Sequence, residues 1–126
     1  MSRTLRVAVV DDEATVRKAL GRLLSASGLA VETFATGQAF LDSLQLRQPD
    51  CLVLDLHMPG LTGFAVQREL ARTAVRLPIV IITANDDADW RVQCLAAGAA
   101  EYLLKPLDGP ALLDAITRAV RGTQDK

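Results

Sequence analysis

The stretch Arg6–Ala14, RVAVVDDEA, joins five residues suited to a buried strand directly to three consecutive carboxylates. Carboxylates repel one another, and burying them near a core costs several kcal/mol each unless another group compensates. The hydrophobic strand by itself does not explain the three carboxylates at its end, which are Asp11, Asp12 and Glu13. The compensating groups have to come from the ends of other strands.

Short apolar runs alternate with helical patterns along the whole chain. The runs are Leu5–Val10, Leu29–Phe34, Cys51–Leu54, Pro78–Ile82 and Glu101–Leu104. Three of them contain the segments VAVV, CLVL and IVII, which are apolar at every position, as strands covered on both faces are. The run LAVETF is more polar and fits an edge strand.

The helical segments between these runs carry apolar residues at helical spacing. They are about Ala14–Ser27, a segment with Phe40, Leu41 and Leu44, a segment after Thr62 and Gly63, about Ala88–Ala97, and a last one from Asp108. Gly28 and Gly98 are expected to end two of these helices, and Asp108 to cap the last, with Pro110 in its first turn. Five βα units predict an α/β domain with a parallel sheet and helices on both faces.

Bulk properties favour one ordinary domain. The chain has 126 residues, half of them hydrophobic, and a net charge of −1, so no positive field attracts nucleic acid or anionic lipid. Cys51 and Cys94 form neither a zinc pattern nor a disulfide framework, and they suit a reducing cytoplasm. The N-terminus does not resemble a signal peptide, and no apolar run approaches the roughly 20 residues that span a bilayer. We place the domain at residues 1–121 and interpret residues 122–126 as a polar tail or the start of a linker.

The chemistry-bearing residues follow the predicted strands. Ligands of open α/β sheets bind beyond the carboxyl ends of the strands. Asp11 and Asp12 follow the first strand, and Asp55, Thr83 and Lys105 stand at the ends of the third, fourth and fifth. Three carboxylates, a hydroxyl and an ammonium group are therefore expected to meet at one edge of the sheet.

A hard divalent cation would make this cluster tolerable. Mg²⁺ prefers oxygen ligands, and with Lys105 it would balance the three negative charges of Asp11, Asp12 and Asp55. A neutral site can accept a phosphoryl group, with Asp55 as the nucleophile that forms an aspartyl phosphate. Lys105 and the metal would stabilise charge on the phosphoryl oxygens, and the Thr83 hydroxyl can bond one of them.

With these residues in this order, the sequence resembles a bacterial response-regulator receiver domain. The resemblance rests on the paired acids DD, on LDLHMPGLTG around Asp55, and on TA and KP after the last two strands. It covers about Arg6 to Val120, and the segments FATGQAFL and AAGAAEYLLKPL are similar to receivers joined to helix-turn-helix transcriptional regulators. The resemblance implies a flavodoxin-like, doubly wound sheet with strand order 2-1-3-4-5.

The resemblance also implies a role for each site residue. Asp55 would be phosphorylated by a sensor histidine kinase, with Mg²⁺ held by Asp12, Asp55 and the backbone carbonyl of His57, and with Asp11 acting largely through water. The phosphate-binding residues would be Thr83, Ala84 and Lys105. The domain would catalyse only its own phosphorylation and dephosphorylation, and is in that sense not an enzyme.

Further residues would switch or tune the domain. On activation Tyr102 would swing inward with the Thr83 hydroxyl and reshape the face of helix four and strand five. The resemblance implies a cis peptide bond before Pro106. His57 and Asn85 each lie two residues after a site residue and are predicted to set the lifetime of the phosphoryl group rather than stability.

Trp90 is the only tryptophan and is the candidate partner surface. At 100° per residue, helix four would turn Ala88, Val92, Leu95, Ala96 and Ala99 toward the sheet. Trp90 and Cys94 would then lie on the opposite face, where an aromatic ring could anchor a partner. The alternative is a ring that folds down over its neighbours.

The expected setting is cytoplasmic phosphorelay signalling with Mg²⁺ as cofactor and a sensor histidine kinase as phosphodonor. The expected output is control of a downstream partner or output domain, with a homodimer on phosphorylation left open and no direct contact with nucleic acid or membrane.

Three other functions compete with a receiver switch. A haloacid-dehalogenase-like phosphatase also uses an Asp nucleophile, but it needs a second Asp two residues later, where this chain has His57. A flavodoxin-like FMN carrier needs a phosphate loop after the first strand, where DDEAT would repel phosphate. A receiver that has lost phosphorylation is disfavoured because every family site residue is present.

Overall fold

The protein, described here by a computed structural model, is seen over residues 4–73 and 75–124. Five strands alternate with five helices in this part of the chain. They are β1 (Arg6–Val10), α1 (Ala14–Ala26), β2 (Ala30–Phe34), α2 (Gly37–Ser43), β3 (Cys51–Asp55), α3 (Gly63–Arg72), β4 (Ile79–Thr83), α4 (Ala88–Ala96), β5 (Glu101–Leu104) and α5 (Gly109–Gln124). The predicted fivefold βα alternation is confirmed.

The strands form one parallel sheet in the order β2-β1-β3-β4-β5. The predicted fold class, a doubly wound flavodoxin-like sheet, is therefore confirmed. β2 is added to one side of β1, whereas β3, β4 and β5 are added in turn to the other side. The topological switch point therefore lies between β1 and β3, where the carboxyl ends of these two strands meet. In the register of this pair Val10 lies opposite Leu54, which brings the residues that follow them side by side.

The sheet separates two hydrophobic cores because successive strand residues point to opposite faces. One face carries Val7, Val9, Val53, Val80 and Ile82 and packs on α1 and α5. The other face carries residues such as Leu54 and Ile81 and packs on α2, α3 and α4. Burial on both faces explains why the central strands are apolar at every position.

Local signals fix several helix ends. The Asp108 carboxylate accepts a hydrogen bond from the Ala111 N–H at 2.9 Å, so the predicted cap of α5 is confirmed. Gly28 and Gly98 have φ values of +88° and +106°, which glycine adopts without strain, and they end α1 and α4 as predicted.

Three elements end later in the chain than the sequence predicts. β3 and β4 each extend one residue further, so that Asp55 and Thr83 are themselves the last residues of strands. α5 continues to Gln124, past the predicted domain end at residue 121, and Gly122 does not end the helix. Residues 125 and 126 of the predicted tail lie outside the described residues.

The predicted orientation of α4 is wrong. Cys94 is fully buried and Trp90 is half-buried, whereas Val92 and Leu95 are 65% and 41% exposed. Of the remaining residues assigned to the inner face, Ala88 and Ala96 are exposed, and Ala99, which lies beyond the helix, is buried. Apolar residues occur on both sides of α4, so helical periodicity does not choose between them. The choice follows from burial of the large indole ring beside the core.

Gly63 connects the fold to the edge where Asp55 lies. A Cβ atom at this position would lie 2.5 Å from the Asp55 carbonyl oxygen and 2.8 Å from the Leu56 Cα. The start of α3 therefore packs directly against the backbone at the end of β3, and only glycine permits that approach.

We expect Gly63→Ala to lower the free energy of unfolding by about 1–3 kcal/mol, because backbone atoms have to move to admit the methyl group. Gly21→Ala is the matched control, since its new Cβ would meet only Thr33 Cγ2 at 4.0 Å. That control should be neutral or stabilise α1 by about 0.5–1 kcal/mol. Urea unfolding measures both variants, and equal stabilities would show that α3 can move away from β3 without cost.

Candidate functional site

The carboxylates predicted from sequence meet at the carboxyl edge of the sheet. Asp11 directly follows β1 and is fully buried, Asp55 ends β3 and is 3% exposed, and Asp12 lies at the surface. One carboxylate oxygen from each of the three lies within 4.8 Å of the others. Oxygen donors at this spacing suit a hard divalent cation, so Asp11, Asp12 and Asp55 fit the predicted magnesium site.

Lys105 joins this cluster from the other side of the switch point. Its Nζ atom lies 2.7 Å from Asp11 Oδ2 and 3.5 Å from Asp55 Oδ1. The residue follows β5 directly, and its backbone N–H donates to the Thr83 carbonyl oxygen at 2.8 Å. Desolvation lowers the pKa of Lys105, but the hydrogen bond to Asp11 and the neighbouring carboxylates outweigh it and raise the pKa. The Lys105 side chain therefore stays protonated and positively charged within the acidic cluster.

The charges do not balance without a further cation. Three aspartates and one lysine leave an excess of two negative charges, which matches one divalent ion. Burial, together with the charge of Asp11 and, to a smaller extent, that of Asp12, raises the pKa of Asp55 to about 6, although Lys105 and the His57 backbone N–H oppose the shift. The Asp55 carboxylate is thus held in a destabilised ionised form, which a cation or a phosphoryl group would relieve.

Two contacts at the site were not predicted. The Glu13 carboxylate lies 3.6 Å from Lys105 Nζ. The Arg17 guanidinium donates to the Asp11 backbone carbonyl at 2.8 Å. A Glu directly after the paired acids and an Arg one turn into α1 are common helix residues, so nothing in the sequence distinguishes them.

Thr83, Ala84 and Asn85 form the turn that leaves β4 beside the cluster. Thr83 is fully buried, and its hydroxyl accepts a hydrogen bond from the Asn85 N–H at 3.2 Å. The Tyr102 hydroxyl donates to the Asn85 carbonyl at 3.4 Å, and its ring is only 7% exposed. Tyr102 is therefore buried in this structure, and its inward movement on activation stays a prediction. Ala84 and Asn85 are exposed at the mouth of the site.

The peptide bond between Lys105 and Pro106 is cis, as the resemblance implied. His57 is exposed, and its ring centroid lies 4.6 Å from that of Trp90. Trp90 also approaches Phe64, with ring centroids 6.4 Å apart. The only tryptophan therefore packs against the body of the protein.

The two cysteines lie outside this chemistry. Both are free and buried. Desolvation is the main cause that raises the pKa of Cys51 to about 12 and that of Cys94 to about 11. Both thiols stay protonated and unreactive at neutral pH.

The sequence model of one protein family, the response regulator receiver domain, matches residues 7–117 of this chain. The chain belongs to this family. Receivers of two-component response regulators serve phosphorelay signalling, so the function class predicted from sequence is confirmed. In the residues that the structure describes, no helix is both long and apolar enough to cross a membrane.

Relatives of known name support the same assignment. Response regulator MprA of Mycobacterium avium is 42% identical over 120 residues, which cover 95% of this chain and 53% of the relative. The DNA-binding transcriptional regulator NtrC of Klebsiella pneumoniae is 36% identical over 118 residues, 94% of this chain and 25% of the relative. The chain thus spans between a quarter and about half of the length of these relatives.

Solved structures agree with the sequence relatives. The FixJ-N crystal structure superposes with a TM-score of 0.88 at 32% identity and covers 95% of this chain and 96% of its own. A response regulator receiver protein from Burkholderia phymatum gives a TM-score of 0.84 at 41% identity, with 94% and 96% coverage. Neither the phosphatase nor the FMN carrier is therefore the family of this chain.

We expect Asp55→Asn to raise the free energy of unfolding by about 1–2 kcal/mol at pH 7.5 in EDTA, because it removes a buried charge beside Asp11. The raised pKa means that the folded state binds a proton more tightly than the unfolded state. Wild-type stability is therefore lost as the pH rises from about 4 to about 6, and the advantage of the variant should shrink as the pH falls through that window.

Urea titrations at pH 7.5 and pH 5 test this expectation. Asp12→Asn is the control, since this carboxylate is exposed and its loss should have the smaller effect. Added Mg²⁺ should stabilise the wild type more than Asp55→Asn. A variant no more stable than the wild type in EDTA at pH 7.5 would contradict the assigned charge imbalance.

Proposed function

We propose that this chain is a phosphorylation-dependent switch in which Asp55 accepts a phosphoryl group from a sensor histidine kinase in the presence of Mg²⁺. The observation that carries the proposal is the convergence of three carboxylates within 4.8 Å with Lys105 inserted between Asp11 and Asp55. Such a cluster is costly for stability alone, since the ionised Asp55 is destabilised where it lies.

The proposed reaction is a phosphoryl transfer with a carboxylate nucleophile. An Asp55 oxygen attacks phosphorus, the bond between phosphorus and the donor histidine nitrogen breaks, and its electron pair returns to the imidazole. Lys105 neutralises charge on the phosphoryl oxygens, and the Thr83 hydroxyl and the Ala84 backbone bind them. The chain acts only on itself in this scheme, in keeping with a family that does not consist of classical enzymes.

The metal would be held by Asp11, Asp12, Asp55 and the backbone carbonyl of His57, with Asp11 acting largely through water. When bound, Mg²⁺ neutralises the excess negative charge of the site and of the incoming phosphoryl oxygens. The donor set is all oxygen, which this ion prefers. Asp55 would serve both as ligand and as nucleophile.

The signal would reach the face of α4 and β5 through the turn after β4. Thr83, Asn85 and Tyr102 already form a hydrogen-bonded series that runs from the site toward β5. Arg91 of α4 lies over the Tyr102 ring, with Cζ 5.7 Å from its centroid. Movement of Thr83 toward a phosphoryl group would displace this series and the helix above it.

The outward face in this scheme differs from the one predicted. Val92, Leu95 and Leu104 are exposed there, whereas Trp90 packs inward and is not assigned as the partner anchor. This face would control a downstream partner or output domain. One relative is described as a DNA-binding transcriptional regulator, which supports transcription control as the output.

The proposed setting is the cytoplasm, since two free, buried thiols suit a reducing compartment. The proposed partner is the sensor kinase, and self-association on phosphorylation is left to experiment. The net charge of −1 gives no reason for direct binding to nucleic acid or membrane by this domain.

We expect incubation with acetyl phosphate and Mg²⁺ to add one phosphoryl group, seen by intact mass spectrometry, and EDTA to prevent it. Asp55→Asn should gain none. Asp42→Asn, which changes an exposed carboxylate of α2, is the control and should react as the wild type does. A phosphoryl gain by Asp55→Asn at the wild-type rate would rule out the assigned nucleophile.

We expect exchange of His57 or Asn85 for other polar residues to change the dephosphorylation rate by several fold and to leave the melting temperature nearly unchanged. Both side chains are exposed beside the site, so they can affect attacking water without contributing to the core. Gln45→Asn, an exposed change after α2, is the control. Unchanged lifetimes in both variants would remove these residues from the proposal.

A further inference from the structure

Three aromatic rings from different parts of the fold meet beside the phosphorylation site. Trp90 in the first turn of α4 lies against His57, with ring centroids 4.6 Å apart and planes inclined by 57°. Phe64, at the start of α3, approaches the same indole edge-on at 6.4 Å. His57 stands two residues after Asp55, which ends β3 at the site. The indole is thus one side chain away from the predicted nucleophile.

The position of Trp90 is fixed by α4. The Asp87 carboxylate caps this helix by accepting from the N–H groups of Asp89 and Trp90 at 2.9 and 3.2 Å. One turn further on, Cys94 is fully buried, and its carbonyl accepts a hydrogen bond from the Gln67 side chain at 3.2 Å. The indole is half-buried and packs against the core.

The position of the His57 imidazole depends on Trp90. Within residues 4–73 and 75–124, no hydrogen bond or ion pair holds this ring, and the indole is its aromatic neighbour. The side chain is otherwise exposed. Aromatic pairs at this separation attract one another beyond the effect of the area they bury, which favours one ring orientation among those open to an exposed histidine.

We propose that Trp90 is a positioning residue that holds the His57 imidazole beside Asp55 and so lengthens the lifetime of the phosphoryl group. This inference rests on the function proposed above. In the hydrolysis, the oxygen of water forms a bond to phosphorus and loses one proton to solvent, so that hydrogen phosphate is released. The bond from phosphorus to the Asp55 oxygen breaks, and its electron pair remains on the carboxylate. A fixed imidazole screens the approach of water, whereas a freely rotating one does not.

The inference gives α4 a second role. The helix carries the proposed output face on one side and Trp90 on the other. A shift of α4 would therefore change the position of His57 as well as the exposed face. The lifetime of the signal would depend on the position of the helix that transmits it.

A double-mutant cycle on the full chain tests the assignment. The proteins are phosphorylated with acetyl phosphate and Mg²⁺, the donor is removed, and decay of the phosphorylated mass is followed. Trp90→Ala should accelerate decay about threefold or more when His57 is present and have no effect in the His57→Ala background. Trp90→Phe, which keeps a ring at this position, should restore decay to within about twofold of the wild type.

Two further variants separate positioning from folding. Trp90→Leu fills more of the space than Ala but lacks a ring, and it carries the test if Trp90→Ala does not fold. It should behave as Trp90→Ala does. Gln93→Ala, an exposed change on the same helix, is the control and should leave decay unchanged.

The outcomes separate the two proposals. Equal acceleration in both His57 backgrounds, slower decay in the Trp90 variants, or decay that none of them changes would overturn the positioning role while leaving the phosphorylation switch in place. A wild-type chain that gains no phosphoryl group would overturn the switch, and the role of Trp90 with it.

Discussion

The buried ion pair between Asp11 and Lys105 is the contact on which the site depends. Its partners lie 2.7 Å apart, although 94 positions separate them in the chain. Lys105 follows the edge strand β5, while Asp11 follows β1, so the pair reaches across the ends of β3 and β4. Loss of one partner of a buried pair leaves an uncompensated charge and typically costs about 3–5 kcal/mol. The pair therefore ties the two halves of the doubly wound sheet together at its carboxyl edge.

The electrostatics of Asp55 follow from this pair. Lys105 is strongly engaged by Asp11 and lies 3.5 Å from Asp55, so it stabilises the ionised Asp55 only in part. Burial and the neighbouring acids consequently keep the pKa of Asp55 near 6. A fold selected for stability alone would have replaced one of these carboxylates, since a well-packed apolar group costs less. This destabilisation of the ionised Asp55 is a property that the proposed metal-dependent phosphoacceptor would need.

The site and the proposed output face share one element, α4. Its inner side contributes Trp90 to the ring cluster and Cys94 to the core, and its outer side exposes Val92 and Leu95. The turn before it links Thr83 through Asn85 to the Tyr102 hydroxyl. Switching elements in general change position when a local charge changes, and α4 would do so in the proposed switch.

The sequence by itself determined the elements, their parallel arrangement and the residues at the carboxyl edge. These depend on local signals, such as apolar runs, capping by Asp108 and the glycine stops, and on the rule that parallel strands bring their ends together. Only the tertiary structure decided which face of α4 is buried, that Trp90 packs against His57, and that Glu13 reaches Lys105. Both faces of α4 are apolar enough to pack, so the choice depends on neighbours distant in sequence, which no local periodicity encodes.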